Sequence, residues 1–262
     1  MRSLKMLQPD NLLNESQRRA VTCASGENLL VVAGPGSGKT FVITQRIFYL
    51  IQMLHVPPEK ILAVTFTKDA ALSMQKRFLE KSDLFYPVNF GTFHSVFYNI
   101  YRQSRTVQPN ILTQKQKSDI MLPVLKKCIK EHSSEEKGRE LYAGLDETSR
   151  ILAAISYYKS TGDEREAENK LSAELRPFFK DCYIMYERER SRRRQIDFDD
   201  MLCESCRLLY NDEALRRRWQ KCFEYILIDE FQDINPVQMS GIGLLKGENC
   251  SLFAVGDDDQ AI

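Results

Sequence analysis

Eight consecutive residues, Ala33-Gly34-Pro35-Gly36-Ser37-Gly38-Lys39-Thr40, restrict this chain more than any other stretch. Glycines at 34, 36 and 38 permit backbone dihedrals closed to other residues. An apolar run at residues 28–33 leads into them. Residues 40–54 follow, with Val42, Ile43, Ile47, Leu50, Ile51 and Leu54 at helical spacing. A strand that enters a glycine turn and opens directly into a helix brings several N–H groups together at the positive end of the helix dipole. That is a cradle for phosphate oxygens. The competing reading, a glycine-rich surface turn, does not account for the flanking strand and helix.

Within this cradle, Ala33, Gly34, Pro35, Gly36, Ser37 and Gly38 line the nucleotide side. Lys39 is expected at the β- and γ-phosphates, and the Thr40 hydroxyl at Mg²⁺. The general pattern has glycine where Ala33 stands, but the Gly-Lys-Thr end is intact. A second half of the site is expected at Tyr225-Ile226-Leu227-Ile228-Asp229-Glu230-Phe231-Gln232-Asp233. Here an apolar strand delivers two adjacent carboxylates at its C-terminal end, where parallel sheets bind ligands. Asp229 is the expected Mg²⁺ partner, and Glu230 the expected base that orients and deprotonates an attacking water.

Further short β-branched runs occur at residues 60–66 and 251–255, with a possible fifth strand at 87–90. Strands that alternate with helical periodicity specify a parallel sheet with crossover helices. Between Gly91 and Tyr225 the pattern changes to 3.6-residue periodicity. Ile151, Ile155 and Tyr158 mark one face, and Phe178, Cys182, Met185 and Tyr186 mark another. So long a stretch without structure of its own would not fit a compact domain, so it reads as an inserted helical subdomain. Pro123 and Pro177 are expected at helix starts or breaks inside it.

At Asp229-Glu230-Phe231-Gln232-Asp233 the chain resembles the UvrD/Rep/PcrA group of superfamily 1 DNA helicases, and the supporting motifs run through nearly the whole chain in that family's order. Residues 13–21 resemble the adenine-recognising segment, in which Gln17 would read the base edge. Thr65-Phe66-Thr67-Lys68-Asp69-Ala70-Ala71 is similar to the first single-strand-binding motif, and Gly91-Thr92-Phe93-His94-Ser95 to the next. Phe66, Thr67, Lys68, Thr92, Phe93 and His94 are therefore expected at DNA, combining aromatic faces for bases with polar and cationic groups for phosphates. Residues 197–202 look like the segment that re-enters the motor domain. Residues 255–260 are similar to the motif whose glutamine, here Gln260, senses the γ-phosphate and couples it to DNA.

The resemblance implies an α/β fold: a RecA-like P-loop NTPase domain with a parallel sheet, interrupted by an inserted all-helical subdomain. Its motor segments would be residues 1–108 and 197–262, with the insertion at 109–196. It further implies ATP and Mg²⁺ as cofactors, single-stranded DNA and single-strand/duplex junctions as partners, and 3′ to 5′ movement. A second RecA-like domain supplying arginine fingers is expected outside these 262 residues, so the chain reads as the first half of a two-domain engine. Two positions depart from the pattern. Phe41 stands where relatives such as UvrD and PcrA commonly carry an arginine beside the adenine. Lys68-Asp69 replaces the usual Asn-Lys.

Composition limits the alternatives. Thirty-seven Lys and Arg against 36 Asp and Glu leave a formal charge of +1, so nucleic-acid contact must be local rather than driven by a global field. Apolar runs fall far short of the roughly 20 residues of a membrane span, so no membrane partner is expected. Seven scattered cysteines and the absence of a secretory apolar core at the N-terminus point to free thiols in the cytoplasm. Cys203 and Cys206 form a lone CxxC at helical spacing, without partners for zinc, and read as packing. The arginine runs at 188–194 and 216–218 read as solvated helix faces. Another P-loop enzyme, a kinase or a GTPase, would not explain residues 229–233 together with 256–260, and no guanine-reading NKxD run is present. A nucleotide- or DNA-binding module without turnover remains the alternative from a different class.

Overall fold

In the computed structural model, the described residues are 13–257 except 25, 83, 105–109 and 133–143. The chain forms two compact units, the first comprising Met1–Val96, Leu209–Ile234 and Ile242–Ile262 and the second Phe97–Leu208 and Asn235–Gly241.

The first unit is built on β1 (Leu29–Val32), β2 (Ile61–Thr65), β3 (Asn89–Thr92), β6 (Tyr225–Ile228) and β7 (Ser251–Gly256). They form one sheet in the order β1-β7-β6-β2-β3, with every pairing parallel. Every residue of β2 and β6 is buried, which is why their sequences are continuous apolar runs and not alternating ones. β1 is an edge strand. Its Leu29 and Val31 pack on the core while Leu30 and Val32 stay about half exposed.

Helix α1 (Glu15–Val21) starts at a capping box, in which the Asn14 side chain accepts from the Gln17 N–H and the Gln17 side chain accepts from the Asn14 N–H. Helix α2 (Lys39–Gln52) buries Val42, Ile43, Ile47, Phe48, Leu50 and Ile51 in the core. Its Arg46 is buried too, donating to the carbonyls of Val21 and Cys23 at 2.6 and 3.0 Å and so tying the α1–β1 connection to the helix. Helix α3 (Lys68–Lys81) is capped by Thr67 and packs Phe78 against Phe48 with ring centroids 4.5 Å apart. Helix α10 (Glu213–Gln220) precedes β6.

The second unit is mostly helical. It contains α5 (Gln114–His132), α6 (Leu145–Thr161), α7 (Glu164–Asn169) and α8 (Phe179–Arg192), joined by a two-residue parallel ladder between β4 (Asn110–Ile111) and β5 (Gln195–Ile196). Of the two faces expected from periodicity, Ile151, Ile155, Cys182 and Tyr186 are fully buried in its core, and Tyr158, Phe178 and Met185 pack partly buried against it. Pro177 lies in the tight turn before α8, as a helix-start proline should. Pro123 behaves otherwise: it sits inside α5, which continues through it. Three helices carry the chain between units: α4 (Phe93–Gln103), α9 (Phe198–Asn211) and α11 (Pro236–Leu245).

A buried ionic cluster sits inside the second unit. Lys159 of α6 lies 2.7 Å from Glu187, 3.1 Å from Asp197 and 2.7 Å from Asp200. Arg190 and Lys117 extend it, and the Tyr186 hydroxyl donates to Asp197. Burial opposes charge on Asp197, yet the Lys159 ammonium and the Asp200 N–H hold its carboxyl well below the usual carboxylate range.

Candidate nucleotide and nucleic-acid site

The carboxyl ends of the strands gather most of the expected site residues in the first unit. Gly36 and Gly38 carry φ of +72° and +86°, left-handed values that explain why the turn needs glycine there. Gly38 is also the N-cap of α2, so the turn passes straight into the helix. The Lys39 ammonium donates to the Ala33 carbonyl at 3.0 Å and lies 2.7 Å from the Asp257 carboxylate, whose side chain is fully shielded. The Thr40 hydroxyl donates to Asp229 at 3.1 Å. Burial pushes the Asp229 carboxyl up from its usual range, with this hydrogen bond acting in the opposite sense. One hydroxyl and one carboxylate, side by side at a phosphate cradle, fit Mg²⁺, which keeps waters and takes its remaining ligands from phosphate oxygens.

Glu230 follows at the end of β6 with φ +54° and ψ +54°, a left-handed backbone that a non-glycine residue adopts at a cost of about 1–3 kcal/mol. Gln232 donates through its amide nitrogen to Glu230 at 2.8 Å and accepts from the Asp257 N–H at 2.9 Å. Gln232 and Asp257, 25 residues apart, thus meet through a contact that neither sequence run announces by itself. Gln17 reaches the loop itself, donating to the Ser37 carbonyl at 2.9 Å. Phe41 lies under the Lys81 ammonium, 4.3 Å from the ring centroid. The cation over this ring comes from α3. Gln260 lies outside the described residues.

The expected DNA residues separate. A cavity of about 410 Å³ is lined by Thr40, Asp229 and Glu230 together with Phe66, Thr67 and Arg77, so the end of β2 opens onto the same space as Thr40 and Asp229. Phe66 is 50% exposed. A second cavity of about 250 Å³, between α3 and the end of β3, is lined by Lys68, Leu72, Gln75, Phe90, Thr92 and Ser95. Thr92 and Ser95 exchange hydrogen bonds at the start of α4, and a side chain at Gly91 would meet the Ser95 hydroxyl at 2.6 Å. His94 is partly exposed. Phe93 is different, being only 2% exposed. Its ring is a core side chain with no free face for a base.

Cys203 and Cys206 donate to the carbonyls of Lys159 and Val237, and burial pushes the thiols up to about 11 and about 12. Among the described residues no group of three or more His, Cys, Asp or Glu could hold a metal ion, and no helix is long and apolar enough to cross a membrane. In the arginine runs, Arg190 pairs with Glu187 and Asp200, Arg192 and Arg193 with Glu189, and Arg217 with Glu213.

Comparison with known proteins adds an independent finding. Residues 13–262 match the family described as the UvrD/REP helicase N-terminal domain. The chain is 36% identical over 261 residues to a probable DNA helicase II homolog of Mycoplasma pneumoniae, covering 95% of this chain and 35% of that protein. It is 36% identical to the putative ATP-dependent DNA helicase YjcD of Bacillus subtilis, covering 98% and 34%. It is 34% identical to the ATP-dependent DNA helicase Rep of Buchnera aphidicola subsp. Acyrthosiphon pisum, covering 95% and 38%. The chain spans about a third of the length of these curated relatives.

Proposed function

Because the chain belongs to the UvrD/REP helicase N-terminal domain family, we propose that it is the ATP-binding part of an ATP-dependent DNA helicase that couples hydrolysis to 3′ to 5′ movement on single-stranded DNA and to duplex unwinding. The observation that carries this reading is one shared cavity, in which Thr40, Asp229 and Glu230 face the same space as Phe66 and Thr67. Chemistry at the phosphates and a contact with a strand of DNA would then be separated by only a few side chains.

In this reading Lys39 would bind the β- and γ-phosphates, Gln17, which reaches the loop at Ser37, and Phe41 would flank the base, and Thr40 and Asp229, which share a hydrogen bond, would hold Mg²⁺. When bound, the nucleotide would supply the anhydride to be cleaved and the metal would neutralise its charge. Glu230 orients a water and takes its proton. Phe66, Thr67, Lys68, Thr92 and His94 form the path for single-stranded DNA, including its junctions with duplex. In this reading the motor segments are residues 1–108 and 197–262 and the helical insertion is 109–196, so that α4, α9 and α11, which are divided between the two compact units, count with the motor, and the protein works in the cytoplasm.

A second RecA-like domain would bring arginine fingers to the γ-phosphate. Their removal costs about 10³ to 10⁵ in rate, so the 262-residue chain by itself is expected to bind ATP weakly, hydrolyse it slowly and not unwind DNA. The deciding experiment is steady-state ATP hydrolysis by the intact gene product with and without single-stranded DNA. Stimulation by DNA that disappears in Lys39→Ala supports the reading. Turnover unaffected by both DNA and Lys39→Ala would remove it.

A further inference from the structure

We propose that Gln232 is a positioning residue for the Glu230 carboxylate, and that its amide links this carboxylate to the chain leaving β7. The inference deepens the reading of Glu230 as the base and rests on it. Both ends of the Gln232 amide are engaged: Nε2 donates to Glu230 Oε2 at 2.8 Å, and Oε1 accepts from the Asp257 N–H at 2.9 Å. The amide cannot be reversed, because a flip would set its oxygen against a carboxylate and its NH₂ against an N–H. A single orientation is therefore enforced from both sides.

The surroundings leave little slack. A side chain at Gly256 would meet Gln232 Oε1 at 3.1 Å and Phe231 Cβ at 3.3 Å, so the end of β7 lies against the turn that carries Gln232. Glu230 itself stands on a left-handed backbone, and its carboxylate is held by the Gln232 amide. On the far side of the link, the Asp257 carboxylate holds Lys39. Lys39, Asp257, Gln232 and Glu230 thus form one chain of contacts from the phosphate lysine to the base. When phosphate draws Lys39 away from Asp257, any shift of residues 256–257 passes through one amide to the carboxylate that must face the water.

A group that positions a base should act on the chemical step and leave nucleotide affinity alone. The test uses the intact gene product carrying Gln232→Ala or Gln232→Met. The methionine variant loses the donor to Glu230 without adding charge, and its similar size guards against misfolding. Both variants are expected to lower DNA-stimulated kcat about tenfold or more, with the ATP KM and the Kd of a fluorescent ADP within about twofold of the unmodified protein. A kcat within twofold in either variant, or a nucleotide affinity that falls in step with kcat, overturns the proposal. Lys39→Ala run alongside separates the two failures. If it is inactive while Gln232→Ala is unimpaired, only the Gln232 proposal falls. If Lys39→Ala turns over normally, the reading of the site falls as well.

Discussion

The Lys39 ammonium and the Asp257 carboxylate meet at 2.7 Å across 218 residues of sequence, with the carboxylate fully shielded from solvent. The lysine that a phosphate would need is thus already neutralised by an acid at the end of β7. An incoming nucleotide must compete with it.

Asp257→Asn removes that competitor and keeps the backbone N–H that bonds to Gln232. Nucleotide affinity is expected to rise about fivefold, corresponding to about 1 kcal/mol of relieved competition. Titration of a fluorescent ATP analogue at fixed ionic strength measures it. Unchanged or weaker binding would mean that the ion pair does not oppose the phosphate.

Lys39→Ala should lower ATP turnover by roughly 10² to 10³, the usual loss when one preorganised charge partner of the transition state is deleted. Single-turnover hydrolysis on the intact gene product checks this. Because the variant also takes the ammonium away from the shielded Asp257 carboxylate, the melting temperature should fall as well, and Lys39→Arg, which keeps the charge, separates the loss of rate from the loss of stability.

Two phenylalanines at neighbouring strand ends should behave in opposite ways. Phe66→Ala is expected to weaken single-stranded DNA binding by about 1–3 kcal/mol, the range for losing one stacking surface, with little change in stability because the ring is 50% exposed. Phe93→Ala empties a buried site and should cost about 3–5 kcal/mol of folding stability. Fluorescence anisotropy with labelled oligonucleotide and urea unfolding distinguish the two.

Lys159→Met should destabilise the helical unit by about 3–5 kcal/mol, because it strands the buried carboxylates of Asp197 and Asp200. Asp197 adds a pH dependence. Its folded-state pKa lies below the unfolded value of about 3.9, so its ionised form stabilises the fold above that value and the contribution disappears as pH falls below it. The stability gap between the unmodified protein and Asp197→Asn should accordingly narrow progressively as pH falls from about 4 towards the folded-state pKa. Urea midpoints measured from pH 2 to 7 test this, and a gap independent of pH would contradict it.

Local sequence carries much of this protein. Continuous apolar runs such as Ile61–Thr65 and Tyr225–Ile228 fold as strands buried at every position, and the stripe of α2 buries as its spacing requires. The phosphate turn is legible because its glycines must supply left-handed backbone within a few residues. Pro123 shows the limit. Proline chemistry argues for a helix end, but α5 runs through it, packing Ile120, Met121, Val124 and Leu125 into a core that outweighs one missing hydrogen bond.

What the sequence determined by itself, then, were features set within a short window: the glycine turn at 33–40, the strands of the five-stranded sheet but not the short β4 and β5, the helical stripes and the acidic pair at 229 and 230. Which groups meet was decided by tertiary structure. Parallel pairing of β6 and β7 and of β1 and β7 brings Asp229, Glu230 and Asp257 to the end of the sheet where Lys39 and Thr40 stand. The same folding hides Phe93 and exposes Phe66, two aromatic residues at strand ends that local pattern does not tell apart. Periodicity says that a side chain is apolar and which way it alternates. Only the packing of distant segments decides whether anything lies on the other side.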